Sequence, residues 1–316
     1  IVSNGGTVSN FGSIALGALA GGTGTMTITD AGSTVTTGSV TVGAAGQGTL
    51  SILSGGVLNG GAAVVGSATI SGLPLSTTTI DGVGSRWSAN GGLSVGVASN
   101  GNVFVMNGGV LESAGGTISG INGVGLIELN NGTWSAENAT GQAVITVGAG
   151  GAGTFRLLNG SAAQTSNRLL VGTGANSNGS MLIDNSSFIL LPQSAGVQAN
   201  TTEIGRDVGT GSLTIQNGST VMLNSTLQLG TRNTPGDGTL IVQDPGTTLN
   251  ATGAFAVGQN GAGHFRLLNG AVMNTGNFGS AGNASALAAS DSVIVNATLN
   301  ITGNGSTPAA RLGGRG

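Results

Sequence analysis

Gly153–Gly160 reads GTFRLLNG, and Gly263–Gly270 reads GHFRLLNG. Seven of the eight residues agree, and the one difference places the chain's single histidine, His264, where the first copy has Thr154. A histidine beside an arginine suggests a chemical site. A near-copy 110 residues away suggests a repeat, and repeats are to be sought before motifs. The pattern G-T-φ-x-φ-x-N-G recurs from Gly24, Gly48, Ser76, Gly101, Gly125, Gly153, Gly179, Gly211, Gly238, Gly263 and Ser290, at spacings of 24 to 32 residues. A partial unit lies around Asn4, for about twelve units in all.

Alternation along the first segment of each unit assigns its faces, because neighbouring strand residues point to opposite sides. Four positions after each start stand Ile28, Ile52, Ile80, Val105, Leu129, Leu157, Ile183, Ile215, Val242, Leu267 and Ile294, apolar without exception. Two positions after each start, the column Met26, Leu50, Thr78, Val103, Ile127, Phe155, Met181, Leu213, Leu240, Phe265 and Ser292 is nearly so. Both columns are predicted to face inward. The residues between them, among them Thr27, Phe104, Glu128, Arg156 and Arg266, are mixed, as an outer face is. A Gly-rich turn and a short apolar touch follow, as in SGGVL (Ser54–Leu58), and then a segment φ-x-φ-G, as in VTVG (Val40–Gly43) or LLVG (Leu169–Gly172). Short strands in units of this length cannot close a sheet locally. They can form one coil of a parallel β-helix, with strands pairing between coils at about 4.8 Å and a rod of roughly 55 Å in total. The expected fold is all-β: a right-handed parallel β-helix spanning residues 1–303, with 304–316 a linker or the start of a further segment. Asn283–Ser290 (NASALAAS) is the one stretch able to form a helical turn.

Composition agrees. Of 316 residues 63 are Gly and only 6% are charged, yet 38% are hydrophobic, enough for a thin elongated core rather than for a disordered chain. There is no Cys, which excludes a disulfide framework and thiolate metal sites and suits a chain exported unfolded. The net charge of −3 offers no basic footprint for nucleic acid, and no apolar run reaches the length of a membrane helix. The chain opens at Ile1 inside the repeat pattern, which reads as a fragment of a longer protein.

Six residues after each start stands Asp30, Ser54, Gly82, Asn107, Asn131, Asn159, Asn185, Asn217, Asp244, Asn269 or Asn296, with Asn4 ahead of them. Asn and Asp tolerate left-handed turns, and stacked amides can bond from coil to coil. A structural column is expected, with a polar ligand strip as the alternative. His264 falls one residue after its start, in a column of mostly Thr, and is expected to be an exposed substitution without a carboxylate partner fixed by the repeat. Glu128 precedes Arg156 by one coil in the same column, so a surface ion pair is predicted.

Other constellations point to no chemistry. Asp81 and Asp184 share a column but lie several coils apart, whereas glycoside cleavage needs two carboxylates at a defined separation. Glu203, Arg206, Asp207, Asp237 and Asp244 form the densest charged stretch, read as solvated turn charges, with a weak Ca²⁺ site as the alternative. Gly205-Arg206-Asp207 is GRD, not RGD, and GAGGAG (Gly148–Gly153) lacks the Lys and helix of a phosphate loop. The outward Thr column is interrupted by Asn, Leu, His and Asp, against a flat ice-binding array. Trp87 and Trp134 align with Val35, Val57, Val110, Val221 and Leu249 and are read as core packing, a sugar-stacking platform being the alternative. No catalytic, cofactor or metal residue is assigned.

VGAAGQGTLSILSGGVL, TTIDGVGSRWSANGGLSVG and VGAGGAGTFRLLNG resemble the repeats of bacterial autotransporter (type V secreted) passengers, in particular those associated with PEP-CTERM surface proteins. The likeness runs from Ile1 to about Gly303. It implies a right-handed β-helix exported to the surface of a Gram-negative bacterium, with a signal peptide upstream and an outer-membrane β-barrel downstream in the complete protein. It also implies a non-catalytic adhesin, biofilm or structural role, toward a host surface, abiotic surface or glycan, with no catalytic motif to carry over. The rival expectations are a self-assembling filament or sheath subunit that stacks end to end, and a polysaccharide-acting β-helix enzyme. Three irregular units depart from the pattern, at Ser67–Leu75, Leu191–Thr201 and Asn283–Ser290.

Overall fold

A computed structural model describes residues 1–67, 75–119, 123–192, 200–231, 236–258, 260–279 and 290–302. The helical turn considered at Asn283–Ser290, most of the two earlier irregular units and the segment from 304 lie outside the described residues. What is described is a parallel β-solenoid built only of strands and turns. Each coil contributes a first strand of three alternating pairs, such as Gln47–Leu53 or Ala152–Leu158, then a short second strand such as Val57–Gly60, then a third such as Ala62–Val65. The first strands stack into a sheet of eleven, close to the dozen units counted in the sequence. The second and third strands form one sheet of nineteen. They merge because Thr7–Leu16, Thr34–Val42, Thr248–Val257 and Val272–Gly279 run unbroken through the corner between the two faces.

The first-strand register is the one predicted. Gly24 pairs with Gly48, Gly101 with Gly125, Gly125 with Gly153, Gly153 with Gly179, Gly179 with Gly211 and Gly238 with Gly263. Ile28, Ile52 and Ile80 stack inside, fully buried, as do Leu157, Ile183 and Ile215. Phe155 and Phe265 point inward, and each meets an aromatic of the second or third face edge-on: Trp134 at a centroid distance of 5.2 Å and Phe255 at 4.9 Å.

The glycine at each start has a steric cause. The third strand ends on a glycine with positive φ, such as Gly148 at 73°, and the chain turns there toward the next first strand. A Cβ on Gly153 would lie 2.3 Å from Gly148 N and 2.4 Å from the Ile118 carbonyl oxygen of the coil before, so no side chain fits. Ser76 and Ser290 replace this glycine in two units, and each hydroxyl accepts the N–H of the previous start, Gly48 and Gly263, at 3.2 and 3.1 Å.

The turn after the first strand is governed by the column six residues from the start. All twelve members have positive φ, from 45° at Asn185 to 93° at Gly82. That is the left-handed region, which Gly, Asn and Asp enter at lower cost than other residues and which Ser54 alone of the twelve enters without being one of them. The structural reading of the column holds, with one correction. Three of the amides reach back to the neighbouring position of the preceding coil rather than to one another. Asn107 Nδ2 donates to Asp81 Oδ1 at 2.8 Å, Asn159 Nδ2 to Asn130 Oδ1 at 2.9 Å, and Asn217 Nδ2 to Asp184 Oδ1 at 2.8 Å. An amide ladder of the stacked kind does occur, on the second face, where Asn300 donates to Asn274 and Asn274 to Asn250 at 2.7 and 2.5 Å.

A second column at this corner follows no hydrophobic pattern. Ser33, Ser85, Ser161, Ser219 and Thr247 are buried, and each hydroxyl accepts a backbone N–H from the preceding coil, as Ser33 does from Gly5 at 3.1 Å and Thr247 from Gly218 at 3.0 Å. They satisfy donors that the tight turn leaves without a strand partner. The small hydroxyl residue after Gly or Asn-Gly (AGS, VGS, NGS, PGT) was its signal.

Because each coil is held only by its neighbours, one buried charge should open several of them. Ile52→Asp is expected to cost more than about 4 kcal/mol. Limited proteolysis should then cut the flanking coils that the parent chain protects, and unchanged protection would count against the stacked register.

Candidate functional site

The charged side chains are few, and the solenoid brings most of those described into pairs between adjacent coils. Arg156 Nη1 donates to Glu128 Oε2 at 2.9 Å, the pair predicted from their shared column. Arg86 binds Glu112 on the second face, and Ser88 Oγ donates to the same carboxylate at 2.8 Å. On the third face Glu203 holds two arginines, Arg168 of the coil before at 3.0 Å and Arg206 of its own strand at 3.2 Å, and Arg206 also donates to Asp207 at 2.8 Å.

Glu203 sits at an outward position, between inward Thr202 and Ile204, yet its side chain is only 3% exposed. Its pairs therefore work in a drier setting than Glu128–Arg156, where the arginine is 42% exposed. The stretch read as one charged patch divides. Glu203, Arg206 and Asp207 belong to the third-face cluster; Asp237 turns to His264, and Asp244 occupies the left-handed turn column with φ of 78°. Among the described residues no group of three or more His, Asp and Glu is arranged to hold a metal ion.

His264 corrects an expectation. It is outward, as its register requires, but it is not without carboxylate partners. Nδ1 lies 2.9 Å from Asp291 Oδ1 of the next coil, and Nε2 lies 3.5 Å from Asp237 Oδ1 of the coil before. Arg266 Nη2 reaches the other oxygen of Asp291 at 3.4 Å. The two copies thus differ in surroundings as well as in one residue: Arg156 pairs back to Glu128, Arg266 pairs forward to Asp291. Asp291 stands one coil on in the same column as His264, and that was the available signal. Asp237 comes from a position before its unit start, where the column gave none. The group ties three coils together and holds no nucleophile.

Trp87 and Trp134 are buried, so their rings are core rather than an exposed sugar platform. Their column also needs correction. They stack with Leu58 and Leu111, not with Val57 and Val110, which sit one residue earlier and look outward. Trp134 Nε1 donates to Ser113 Oγ of the preceding coil at 2.9 Å, while Trp87 Nε1 is buried with no partner among the described residues. The register explains the difference. Ser113 pairs with Ala136, two residues beyond Trp134; in the coil preceding Trp87 the residue paired with Ala89, two beyond Trp87, is Gly60, which has no hydroxyl to offer.

No known family profile matches the chain, and neither does any curated protein sequence. Among solved structures it is similar to the TibC-catalyzed, hyper-glycosylated TibA55-350 fragment, at 16% identity over 93% of this chain and 99% of that one, with a TM-score of 0.21. At that overlap the likeness carries no argument about function.

Two substitutions test how these polar groups are used. Gly60 is buried at negative φ, and a Cβ there would make ordinary contacts at 3.5 Å or more. Gly60→Ser should give Trp87 the partner Trp134 has and raise stability by about 1 kcal/mol in chemical denaturation; a loss of stability would refute that account of the orphaned indole. Glu203→Ala should cost about 3 kcal/mol, because it leaves Arg168 without a carboxylate and Arg206 with Asp207 alone in a dry setting. Glu128→Ala, at the exposed pair, should cost no more than about 1 kcal/mol in the same assay.

Proposed function

We propose that the chain is a non-catalytic structural rod from an exported bacterial surface protein, of the autotransporter-passenger kind, which displays its faces to a surface or glycan or holds another segment away from the cell. The observation that carries this reading is the use of charge. Glu128–Arg156, Arg86–Glu112, the Glu203 cluster and the His264 group each join one coil to the next. Groups that a glycan-cleaving enzyme would aim at a substrate here brace the stack. The resemblance of the repeats to type V passengers supports export and an extracellular location, and the absence of Cys suits both.

Incubating the purified chain with a panel of polysaccharides and measuring reducing ends is the direct test. No release above a heat-inactivated control is expected, and sustained turnover would replace this reading with the enzyme one. Light scattering across a concentration series separates the rod from a filament subunit: a constant monomer mass is expected, and a mass that climbs with concentration favours the filament.

A further inference from the structure

The structure assigns Asn90 as a site at which this rod undergoes spontaneous deamidation, while the Asn–Gly pairs of its turn column are protected by the stacking of coils. Deamidation of an Asn–Gly pair needs three things: a mobile asparagine amide, a glycine without a side chain to obstruct the approach, and a glycine backbone N–H free to lose its proton. The chain is rich in Asn–Gly, and the third requirement separates Asn90–Gly91 from the pairs of the turn column.

In the turn column Asn4, Asn107, Asn131, Asn159, Asn217 and Asn269 are each followed by glycine. In every one of these six pairs the glycine N–H donates to the next coil: Gly108 to the Asn131 carbonyl oxygen at 2.6 Å, Gly160 to that of Asn185 at 2.7 Å, Gly218 to Thr247 Oγ1 at 3.0 Å, and likewise in the other three. The attacking nitrogen is thus committed. In three of the pairs the side-chain amide is held as well, Asn107, Asn159 and Asn217 donating to the coil before.

Asn90–Gly91 carries neither restraint. It forms the tip of a turn between Arg86–Ala89 and Leu93–Val95, closed by Gly92 N–H to the Ala89 carbonyl oxygen at 2.9 Å. Both residues are exposed. Asn90 anchors its own N–H on the Gly60 carbonyl oxygen at 3.0 Å, but neither its side chain nor the Gly91 N–H has a partner among the described residues. The chemistry balances with water alone. The Gly91 nitrogen gives its proton to solvent and attacks Asn90 Cγ; a bond forms between them, and the Cγ–Nδ2 bond breaks as the side-chain nitrogen leaves as ammonia. Water then opens the resulting succinimide at one of its two carbonyls, leaving aspartate or isoaspartate. Either product puts a new negative charge on the corner between the second and third faces, and isoaspartate also lengthens the main chain there.

The test is peptide mapping by mass spectrometry of the intact chain aged at pH 8 and 37 °C, with isoaspartate scored by fragmentation. Asn90 is expected to convert at least about tenfold faster than Asn107, Asn159 and Asn217, whose reaction requires local opening of the stack. In guanidinium at the same pH the four rates should converge, since the hydrogen bonds that separate them are gone. Asn90→Gln should abolish the change at this peptide and leave the other three sites unaffected. Folded protein in which Asn90 converts no faster than the three turn asparagines overturns the assignment, as does a rate ratio that persists after unfolding.

Discussion

A parallel ladder between successive coils is the constraint on which everything else in this molecule depends. A first strand such as Ala152–Leu158 can satisfy its backbone only through the strands one coil before and one coil after, and both must present the same register. That requirement converts a loose sequence repeat into columns. Any residue type that a column needs is needed at every coil, whether an inward aliphatic, a glycine where two turns of chain meet, or a left-handed Asn. The register even tolerates units of unequal length. Gly179 and Gly211 are 32 residues apart and still pair directly, the extra residues being accommodated between the strands Ser187–Leu190 and Thr201–Arg206.

The columns explain a composition that looks unpromising at first. Dispersed charge usually keeps a surface soluble, but here only 6% of residues are charged, and the outward positions carry mostly Ser, Thr, Asn and Gln. A charge placed in a column meets the same column 4.8 Å or so above and below. Like charges there would repel along the rod, so a charge is stable when its neighbour carries the opposite sign, as Glu128 and Arg156 do. Glu203 follows the same rule across two strands and is buried by it. Neutral polar side chains need no such partner and can also bond along the column, as the Asn250–Asn274–Asn300 ladder does.

How much of this was legible in the sequence follows from strand length. First strands run six or seven residues in most coils, long enough for alternation to fix inside and outside, and their pairing follows it. Second strands are about four residues, and Val57-Leu58 or Val110-Leu111 offers an apolar residue on both faces. Alternation then cannot choose between them, and the register with Trp87 selects Leu58 as the inward residue. The buried Ser and Thr of the first corner were hidden for a related reason. Their role is set by a turn's unpaired N–H groups, which no hydrophobic pattern reports. His264 was placed on its face correctly, but its partners were not, because one of them lies outside the aligned pattern altogether.

The two near-copies illustrate what a repeat does and does not conserve. Phe155 and Phe265, Leu157 and Leu267, and Asn159 and Asn269 are interchangeable because each answers to the ladder, the core or the turn, and those are the same in both coils. Arg156 and Arg266 answer to whatever the neighbouring coil presents outward, so the same residue pairs backward in one copy and forward in the other. His264 is the extreme of that freedom: a position where the ladder asks for nothing specific, filled by a residue whose environment two aspartates supply. In such a fold, inward identity is a property of the repeat, while outward identity is a relation between one coil and the next. The outward columns are therefore the part of the sequence on which a coil can differ from its neighbours without disturbing the stack.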